Sequence, residues 1–287
     1  MGMDGGMNTD ADTDTDTDTE MGAIESIGLT KEYGDTVAVN GIDLSVPEGT
    51  VYGLLGPNGS GKTTTMRMLT TLTEPTSGEA YIMGDSVEDR EAVIEHVGYL
   101  SEESPLYDEL TAREQLEYIA DLRDVPEEVA QERIEDYLSR FGLSEEADDR
   151  ISTYSKGMRR KTSITQTVLH DPDVAFFDEP TSGLDPRAAR TVRELIEELS
   201  DEDMTIFLST HILPVVESVS GVVGVLYEGN LVAEGTPDEL KDGAETGTLE
   251  DVFIEVTTDR GMDGRGSRSG NENEGNKEGV DEEGDEG

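Results

Sequence analysis

The sequence predicts a mixed α/β fold built on a parallel β-sheet, with a helical segment inserted into it. Two observations support this prediction. Short apolar runs alternate with helical patterns on both sides of the middle of the chain, and residues 111–141 have a helical pattern without a strand candidate. Strands that alternate with crossover helices form parallel sheets. We place the helical insertion at about residues 100–160.

The predicted strands are short apolar runs bounded by Gly, Pro and Asp. A helical pattern covers Pro186–Leu199, and within the middle stretch Pro126 stands at a favourable helix start. The strand candidates are, in chain order, Ile24–Leu29, Val37–Val46, Thr50–Leu55, Val174–Asp178, Thr205–Ser209 and Val222–Tyr227.

The chain is strongly acidic, with 67 acidic residues against 21 basic ones and a formal net charge of −46. Residues 1–22 and 261–287 hold 16 of these acids and 3 of the bases, so most of the excess belongs to the body of the chain. Such charge repels itself at low salt and is screened at 1 M salt, where the Debye length is about 3 Å. We therefore hypothesise an origin in an extreme halophile. Because phosphate contacts need a basic face, the charge also argues against nucleic-acid binding.

Both ends of the chain are low in complexity. Residues 1–22 include an Asp-Thr repeat, and residues 258–287 are rich in Gly, Asp and Glu. Neither has the apolar residues that offset the entropy of ordering, so we predict two disordered acidic tails around one domain at residues 23–257. The sequence has no run of about 18 apolar residues and no secretory signal, which predicts a cytoplasmic protein without direct membrane insertion.

A glycine-rich loop follows the third strand candidate. It fits the pattern G-x-x-x-x-G-K-[ST], which binds phosphate where it follows a strand and precedes a helix, as it does here. Glycines let backbone N–H groups approach phosphate oxygens, and the helix N-terminus favours the anion. We expect Lys62 to reach the β and γ phosphates of a nucleotide and Thr63 to hold Mg²⁺. The loop consists of Gly56, Pro57, Asn58, Gly59, Ser60, Gly61, Lys62 and Thr63, and Thr64 follows it.

Two carboxylates, Asp178 and Glu179, end the strand candidate that begins at Val174. Open α/β sheets bind ligands at the carboxyl ends of their strands, so the pair is expected near the phosphate loop. We predict that Asp178 binds Mg²⁺, generally through water, and that Glu179 accepts the proton of an attacking water. Taken alone, the pair could instead begin a solvated helix.

The run Asp178–Pro186 (DEPTSGLDP) resembles the Walker B motif and D-loop of the ATP-binding cassette (ABC) family. Three further elements resemble the family's: Tyr33, where its adenine-stacking aromatic usually lies, Tyr154–Met158 (YSKGM), similar to its signature, and His211, similar to its switch histidine. Each is weak alone, since a serine before a helix is often just an N-cap. Their joint order supports the resemblance, which covers about residues 24–257.

The resemblance implies a P-loop (RecA-like) ATPase core with an antiparallel β subdomain as well as the helical insertion. It also implies that two cassettes pair head to tail, either as a homodimer or with a different cassette. ATP held by Lys62 and Thr63 of one cassette would then also meet Ser155 and Gly157 of the other. Two sites would form in each pair.

Two more roles follow from the resemblance: His211 is expected to contact the γ-phosphate, and Asp185 to link the two sites. Three positions depart from the family's commonest pattern, namely Lys156 and Met158 in the signature and Glu102, where most members have the Q-loop glutamine. A carboxylate can coordinate Mg²⁺ or water but cannot donate a hydrogen bond when ionised. Glu102 is therefore a third candidate metal ligand. All three variants are familiar in ABC exporters with separately encoded membrane subunits.

The segment Thr248–Val256 resembles the short closing segment of drug-efflux and sodium-efflux ATPases. Thr248 and Asp251 have the spacing of a helix cap. The apolar residues share one helix face, which packs either against its own domain or against a partner. They are Leu249, Val252, Phe253 and Val256.

The resemblance thus implies a subunit that powers a separate hydrophobic permease, for export, from the inner face of the cell membrane. The permease would be met through the helical insertion and the loop around Glu102. The main alternative is a soluble ABC ATPase of ribosomes or chromosomes, but these usually join two cassettes or carry long coiled coils. A small-molecule kinase with a phosphate loop would leave residues 154–158 and 181–186 unexplained.

Overall fold

The computed structural model describes residues 22–103, 105–202, 204–242 and 247–255. The predicted tails at residues 1–22 and 258–287 lie outside the described residues, Gly22 excepted, and so does Val256 of the predicted closing helix. Within these four ranges, no helix has the length and hydrophobicity needed to cross a membrane.

Ten strands lie in the described ranges. In chain order they are β1 Ile24–Tyr33, β2 Thr36–Val46, β3 Val51–Leu55, β4 Ser77–Ile82, β5 Asp85–Ser86, β6 Val97–Leu100, β7 Val174–Asp178, β8 Thr205–Thr210, β9 Val222–Tyr227 and β10 Asn230–Gly235.

Nine α-helices lie between and after these strands in the same ranges. They are α1 Lys62–Leu69, α2 Arg90–His96, α3 Ala112–Leu122, α4 Glu127–Arg140, α5 Lys156–Val168, α6 Pro186–Ser200, α7 Leu213–Val219, α8 Pro237–Asp242 and α9 at residues 249–255.

The central sheet has the strand order β10-β9-β3-β8-β7-β6. Neighbours from β9 to β6 run parallel, and the edge strand β10 is antiparallel to β9. The predicted parallel sheet is therefore confirmed. Its register aligns the carboxyl ends of three strands, because Leu55 pairs with Thr210 and Asp178 pairs with Ser209. The loops that leave these ends meet at the edge where open α/β sheets bind ligands.

Alternate residues of the central strands belong to two apolar cores. In β7, Ala175 and Phe177 belong to the core that includes the helical insertion and α6, whereas Val174 and Phe176 belong to the core that includes α1 and the second sheet. All five residues of β7 are buried, as expected for a strand that is covered on both faces. Each buried phenylalanine contributes about 1.5–3 kcal/mol, so the two cores hold the carboxyl end of β7 firmly.

The second sheet is antiparallel and has the order β2-β1-β4-β5. It is the antiparallel β subdomain that the family resemblance implied. Strand β2 approaches the phosphate loop so closely that a Cβ atom on Gly61 would lie 2.5 Å from the carbonyl oxygen of Ala38. The second sheet therefore covers one side of the loop.

The helical insertion contains α3, α4 and the start of α5. The sequence predicted helical structure over about residues 111–141, with a helix start at Pro126. The structure has two helices there, because α3 ends at Leu122 and α4 begins at Glu127. Pro126 lacks an N–H group and disfavours the helical conformation of the residue before it. Asp124, two residues earlier, has a φ of 54°. Pro126 stands immediately before α4, at the predicted helix start.

The short helix α9 packs against its own domain. Leu249 is buried in an apolar cluster that includes Leu55 of β3 and Val225 of β9, and Phe253 packs against this cluster. Val252 is also buried. Thr248 caps the helix by accepting a hydrogen bond from the amide of Asp251 (3.2 Å). Of the two open alternatives for the apolar face of this segment, packing on its own domain is the one observed.

Candidate nucleotide site

The phosphate loop connects β3 to α1 and depends on glycine at two close approaches. A Cβ atom on Gly56 would lie 2.4 Å from the carbonyl oxygen of Leu226, and Gly61 is confined by Ala38 as described above. Gly61, the N-cap of α1, also has a φ of 111°, which residues with side chains rarely adopt. The first turn of α1 has no acidic residue, so its N-terminus keeps a positive field for an anion.

The side chain of Lys62 folds back over the loop. Its Nζ donates hydrogen bonds to the carbonyls of Gly56 (2.8 Å) and Pro57 (3.2 Å) and lies 3.5 Å from Oε1 of Glu179. Lys62 and Glu179 are each only 6% exposed. The two sequence-predicted residues therefore form a buried ion pair above the loop.

Glu179 is also bonded to His211, whose Nδ1 lies 2.9 Å from Oε1 of Glu179. The other carboxylate oxygen, Oε2, is buried and has no hydrogen-bond partner among the described residues. One oxygen is thus held by Lys62 and His211, whereas the second is free to accept a proton from a water molecule.

Asp178 and Thr63 meet at the neighbouring strand end. Asp178 is 2% exposed and its Oδ1 accepts hydrogen bonds from Ser209 Oγ (2.5 Å) and Thr63 Oγ1 (3.3 Å). A carboxylate and a hydroxyl are hard oxygen ligands of the kind that Mg²⁺ takes together with substrate phosphates. The described residues contain no group of three acidic, His or Cys side chains that could hold a metal ion without such phosphates.

Lys62, Thr63, Glu179 and His211 line one cleft of about 370 Å³ at the carboxyl edge of the sheet. Glu102, from the loop after β6, reaches the same cleft, as does Ser182 from the loop after β7. The full lining is Ala38, Asn58, Gly59, Gly61, Lys62, Thr63, Thr64, Glu102, Glu179, Ser182 and His211.

Eight sequence-predicted residues lie outside this cleft lining. Gly56, Pro57 and Ser60 belong to the phosphate loop itself, and Asp178 is bonded to Thr63. The other four, Tyr33, Ser155, Gly157 and Asp185, lie on other elements. Ser155 is the N-cap of α5 and accepts a hydrogen bond from the amide of Met158 (3.2 Å), and Gly157 packs near α6. Asp185 is the N-cap of α6. Tyr33, at the end of β1, is 51% exposed, with Lys31 Nζ 5.2 Å from its ring centre. Within one chain, therefore, Ser155 and Gly157 do not line the cleft that Lys62 and Thr63 form.

Two residues of the site were not assigned a role from the sequence. Ser209 donates to Asp178 and also accepts a hydrogen bond from the amide of Glu179 (3.2 Å). The hydroxyl of Tyr99 lies 3.5 Å from Oδ2 of Asp178, and burial raises the pKa of Tyr99 to about 12, with the Asp178 carboxylate acting in the same direction. Tyr99 therefore remains a proton donor at neutral pH. Ser209 lies near the end of β8, which pairs with β7, and it is the partner of Asp178 across the sheet. Its role can therefore be recognised only once the strand order is known.

The chain is similar to known proteins in both sequence and fold. The family model described as ABC transporter matches residues 39–182. The daunorubicin/doxorubicin resistance ATP-binding protein of Streptomyces peucetius is 39% identical over 228 residues, which cover 79% of this chain and 69% of that protein. The bacitracin transport ATP-binding protein of Enterococcus faecalis is 39% identical over 219 residues, which cover 76% of this chain and 70% of that protein.

A solved structure described as the ATP-binding subunit of an ABC transporter superimposes with a TM-score of 0.74 at 30% identity, covering 82% of this chain and 99% of that one. The chain belongs to the ABC transporter family and is one of its ATP-binding subunits. It is thus an ATP-binding and ATP-hydrolysing cassette of that family.

Proposed function

We propose that this chain hydrolyses Mg-ATP within a pair of cassettes and thereby drives export through a separately encoded membrane permease. One observation carries the proposal: Glu179, Lys62 and His211 are in contact over the phosphate loop, at the strand edge where Thr63 meets Asp178. This arrangement combines a base, fixed positive charge and metal ligands at one point.

The protein's own groups account for the steps around hydrolysis. Oε2 of Glu179 accepts the proton of the attacking water, while His211 and Lys62 hold Oε1 and so fix the direction of the carboxylate. Lys62 and the N–H groups of the loop stabilise the charge that develops on the phosphate oxygens. Bound through Thr63 and Asp178, Mg²⁺ would neutralise part of that charge.

The second half of the site comes from another cassette. Ser155 and Gly157 lie outside the cleft of their own chain, which supports the proposal that they close the ATP site of a partner cassette. Lys156 is exposed at the start of α5, and Met158 packs against the core of the helical insertion. The two substitutions in the signature are therefore compatible with a normal helix start.

The permease is met through the helical insertion. Beside the loop that carries Glu102, Tyr107 and Tyr118 form an edge-to-face pair with ring centres 5.8 Å apart, and both are about half exposed. Leu122, one turn along α3, is 65% exposed. An exposed apolar group of this kind is typical of a protein interface. Export is supported by relatives whose names include drug resistance and bacitracin transport.

Replacement of Glu179 tests the hydrolytic part of the proposal. Glu179→Gln keeps the shape of the side chain but removes the base, so steady-state ATP turnover should fall by about 10²- to 10⁴-fold while ATP binding persists. ATPase assays measure the turnover, and size-exclusion chromatography with ATP should show a trapped dimer. Glu197→Gln, on the exposed side of α6, is the matched control and should keep normal turnover. Unchanged turnover in Glu179→Gln would refute the assignment.

Co-purification tests the transport part against the soluble alternative. When membranes of the source cells are solubilised at high salt, the tagged protein should be recovered with a hydrophobic subunit of several membrane spans. Recovery with ribosomes, and not with a membrane subunit, would overturn the transport assignment in favour of a soluble ABC ATPase.

We also infer an extreme halophile as the source. The net charge of −46 supports this inference, because such a surface needs concentrated counterions to remain compact.

A further inference from the structure

Arg160 is a buried arginine at the back of the candidate site. It lies in the second turn of α5 and is 7% exposed. Its Nη1 donates to the carbonyl of Ser101 (3.1 Å), and its Nη2 donates to the carbonyl of Glu179 (2.8 Å). One guanidinium thus connects three segments that are distant in sequence: the helix after Ser155, the residue before Glu102, and the proposed base.

The backbone of Glu179 is strained at this point. Its φ is 46°, a left-handed conformation that a residue with a Cβ atom adopts at an energetic cost. Its amide donates to the carbonyl (3.1 Å) and hydroxyl (3.2 Å) of Ser209, and its carbonyl accepts from Arg160 and from the amide of Ser182 (3.1 Å). Ser209 therefore holds the strained peptide from one side, and Arg160 holds it from the other.

The charges around Arg160 favour this bridging position. Burial lowers the pKa of Arg160, whereas the carboxylates of Glu102, Asp178 and Glu179 raise it. Arginine stays protonated in proteins, so the guanidinium remains a charged donor. A planar fork with two donors can satisfy two carbonyls at once, which a lysine ammonium does less well.

We propose that Arg160 is a positioning residue for ATP hydrolysis, whose guanidinium holds the strained backbone of Glu179 and ties it to the Glu102 loop and to the signature helix α5. The proposal rests on the proposed role of Glu179 as the base. Arg160 contacts neither the phosphate loop nor Lys62 in its hydrogen bonds, so its contribution belongs to the chemical step and not to ATP binding.

Arg160→Met tests this role. Because a small displacement of a catalytic group can cost up to about 100-fold, kcat should fall by about 10- to 100-fold, while KM for ATP stays within about twofold. Arg160→Lys should recover part of the lost kcat, since an ammonium can still reach one of the two carbonyls. Steady-state ATPase assays over a range of ATP concentrations measure both constants.

Arg123→Met is the matched control. Arg123 is partly buried and also donates to two carbonyls, of Ile94 (3.1 Å) and Val97 (3.5 Å), but these lie in α2 and at the start of β6, not at the site. Both variants lose a guanidinium with two backbone partners. Equal effects of the two variants on kcat would show that Arg160 is merely structural and would overturn the proposal.

A double variant separates positioning from any other action. With Glu179→Gln in place there is no base to position, so adding Arg160→Met should lower the residual single-turnover rate by less than about twofold. A further drop as large as in the native background would contradict the inference while leaving the role of Glu179 intact. If Glu179→Gln alone left turnover unchanged, the role of Glu179 would fail, and the inference would fail with it.

Discussion

The three histidines of the chain lie in three different electrostatic environments. His96 lies between two carboxylates, with Nδ1 2.6 Å from Asp173 and Nε2 3.0 Å from Asp85, and the hydrogen bond to Asp173 raises its pKa most. His170 is partly buried, and burial, together with the charge of Arg123, lowers its pKa to about 4. His211 bonds to Glu179 in the site. Histidine thus forms an ion pair at His96, a neutral contact with a backbone carbonyl at His170, and a hydrogen bond to the candidate base Glu179 at His211.

The pH dependence of stability should reflect the low pKa of His170. Its Nε2 bonds to the carbonyl of Val97 (3.1 Å), and its Nδ1 is buried without a partner among the described residues. The unfolded chain takes up this proton near pH 6.5, whereas the folded chain takes it up near pH 4. The stabilisation is therefore complete above pH 6.5 and is lost as the pH falls towards 4, by up to about 3 kcal/mol.

Chemical unfolding of the native protein and of His170→Gln between pH 4.5 and 7.5, at constant high salt, measures this contribution. The stability of the variant should change less with pH than that of the native protein. His96→Gln is the control with the opposite sign. The raised pKa of His96 means that its protonation stabilises the fold fully below pH 6.5, and this stabilisation is lost as the pH rises through the raised pKa. Identical pH slopes for native protein and His170→Gln would contradict the prediction.

At the scale of elements, the strands that are covered on both faces are the easiest to predict from the sequence. β7 and β9 begin and end as predicted, and β3 and β8 differ from the prediction by one residue at one end. Each is a nearly continuous apolar run, since both faces pack on a core. Burial on both faces removes the alternation of polar and apolar residues, so such a strand can be recognised from its own residues alone.

Other elements were missed, as β6 was, or predicted too short, as β1 was, because their conformation depends on neighbours. β6 has four residues, one of which is Gly98, where a Cβ atom would lie 2.2 Å from the carbonyl oxygen of Thr167 in α5. In the structure, Gly98 allows helix α5 to approach the strand closely. In the sequence alone, a glycine at this position suggests a loop. β1 continues beyond Leu29 to Tyr33 because β2 supplies pairing partners as far as Thr36, although the register shifts within this stretch. In both cases the pairing strand or packed helix decides the structure.

At the scale of the whole molecule, net charge is the dominant physical property. The formal charge of −46 is spread over a single chain of 287 residues, so repulsion between carboxylates opposes the compact state wherever screening is weak. The Debye length falls from about 10 Å at 0.1 M salt to about 3 Å at 1 M. Stability should therefore depend on salt far more than on any single ion pair.

Thermal unfolding in 0.1 M and 3 M KCl tests this expectation. The melting temperature should rise with salt, and the unfolding transition at 0.1 M should be shifted to markedly lower temperature or be absent. Sucrose at 0.1 M KCl is the control for the general stabilisation that excluded solutes give. A higher melting temperature in the dilute buffer, or an equal effect of sucrose, would contradict a halophilic surface.

The sequence by itself determined the chemistry that is local. The phosphate loop needs eight consecutive residues, and a helix cap such as Thr248 with Asp251 needs four, so both can be recognised before any fold is known. The place of Asp178 and Glu179 at a strand end supplied their predicted roles, and the family resemblance supplied those of His211 and Asp185. The structure brings Glu179 to Lys62 and His211 in one cleft, and the roles stay predictions.

The tertiary structure decided which groups that are distant in sequence are hydrogen-bonded to each other. Thr63 meets Asp178 across 115 positions of sequence, and Arg160 reaches the carbonyl of Ser101 across 59. These contacts depend on the strand order and register of the central sheet, which place carboxyl ends side by side. Every residue has a backbone carbonyl, so the sequence does not show which carbonyl accepts a hydrogen bond. The bridge made by Arg160 could therefore be found only in the folded chain.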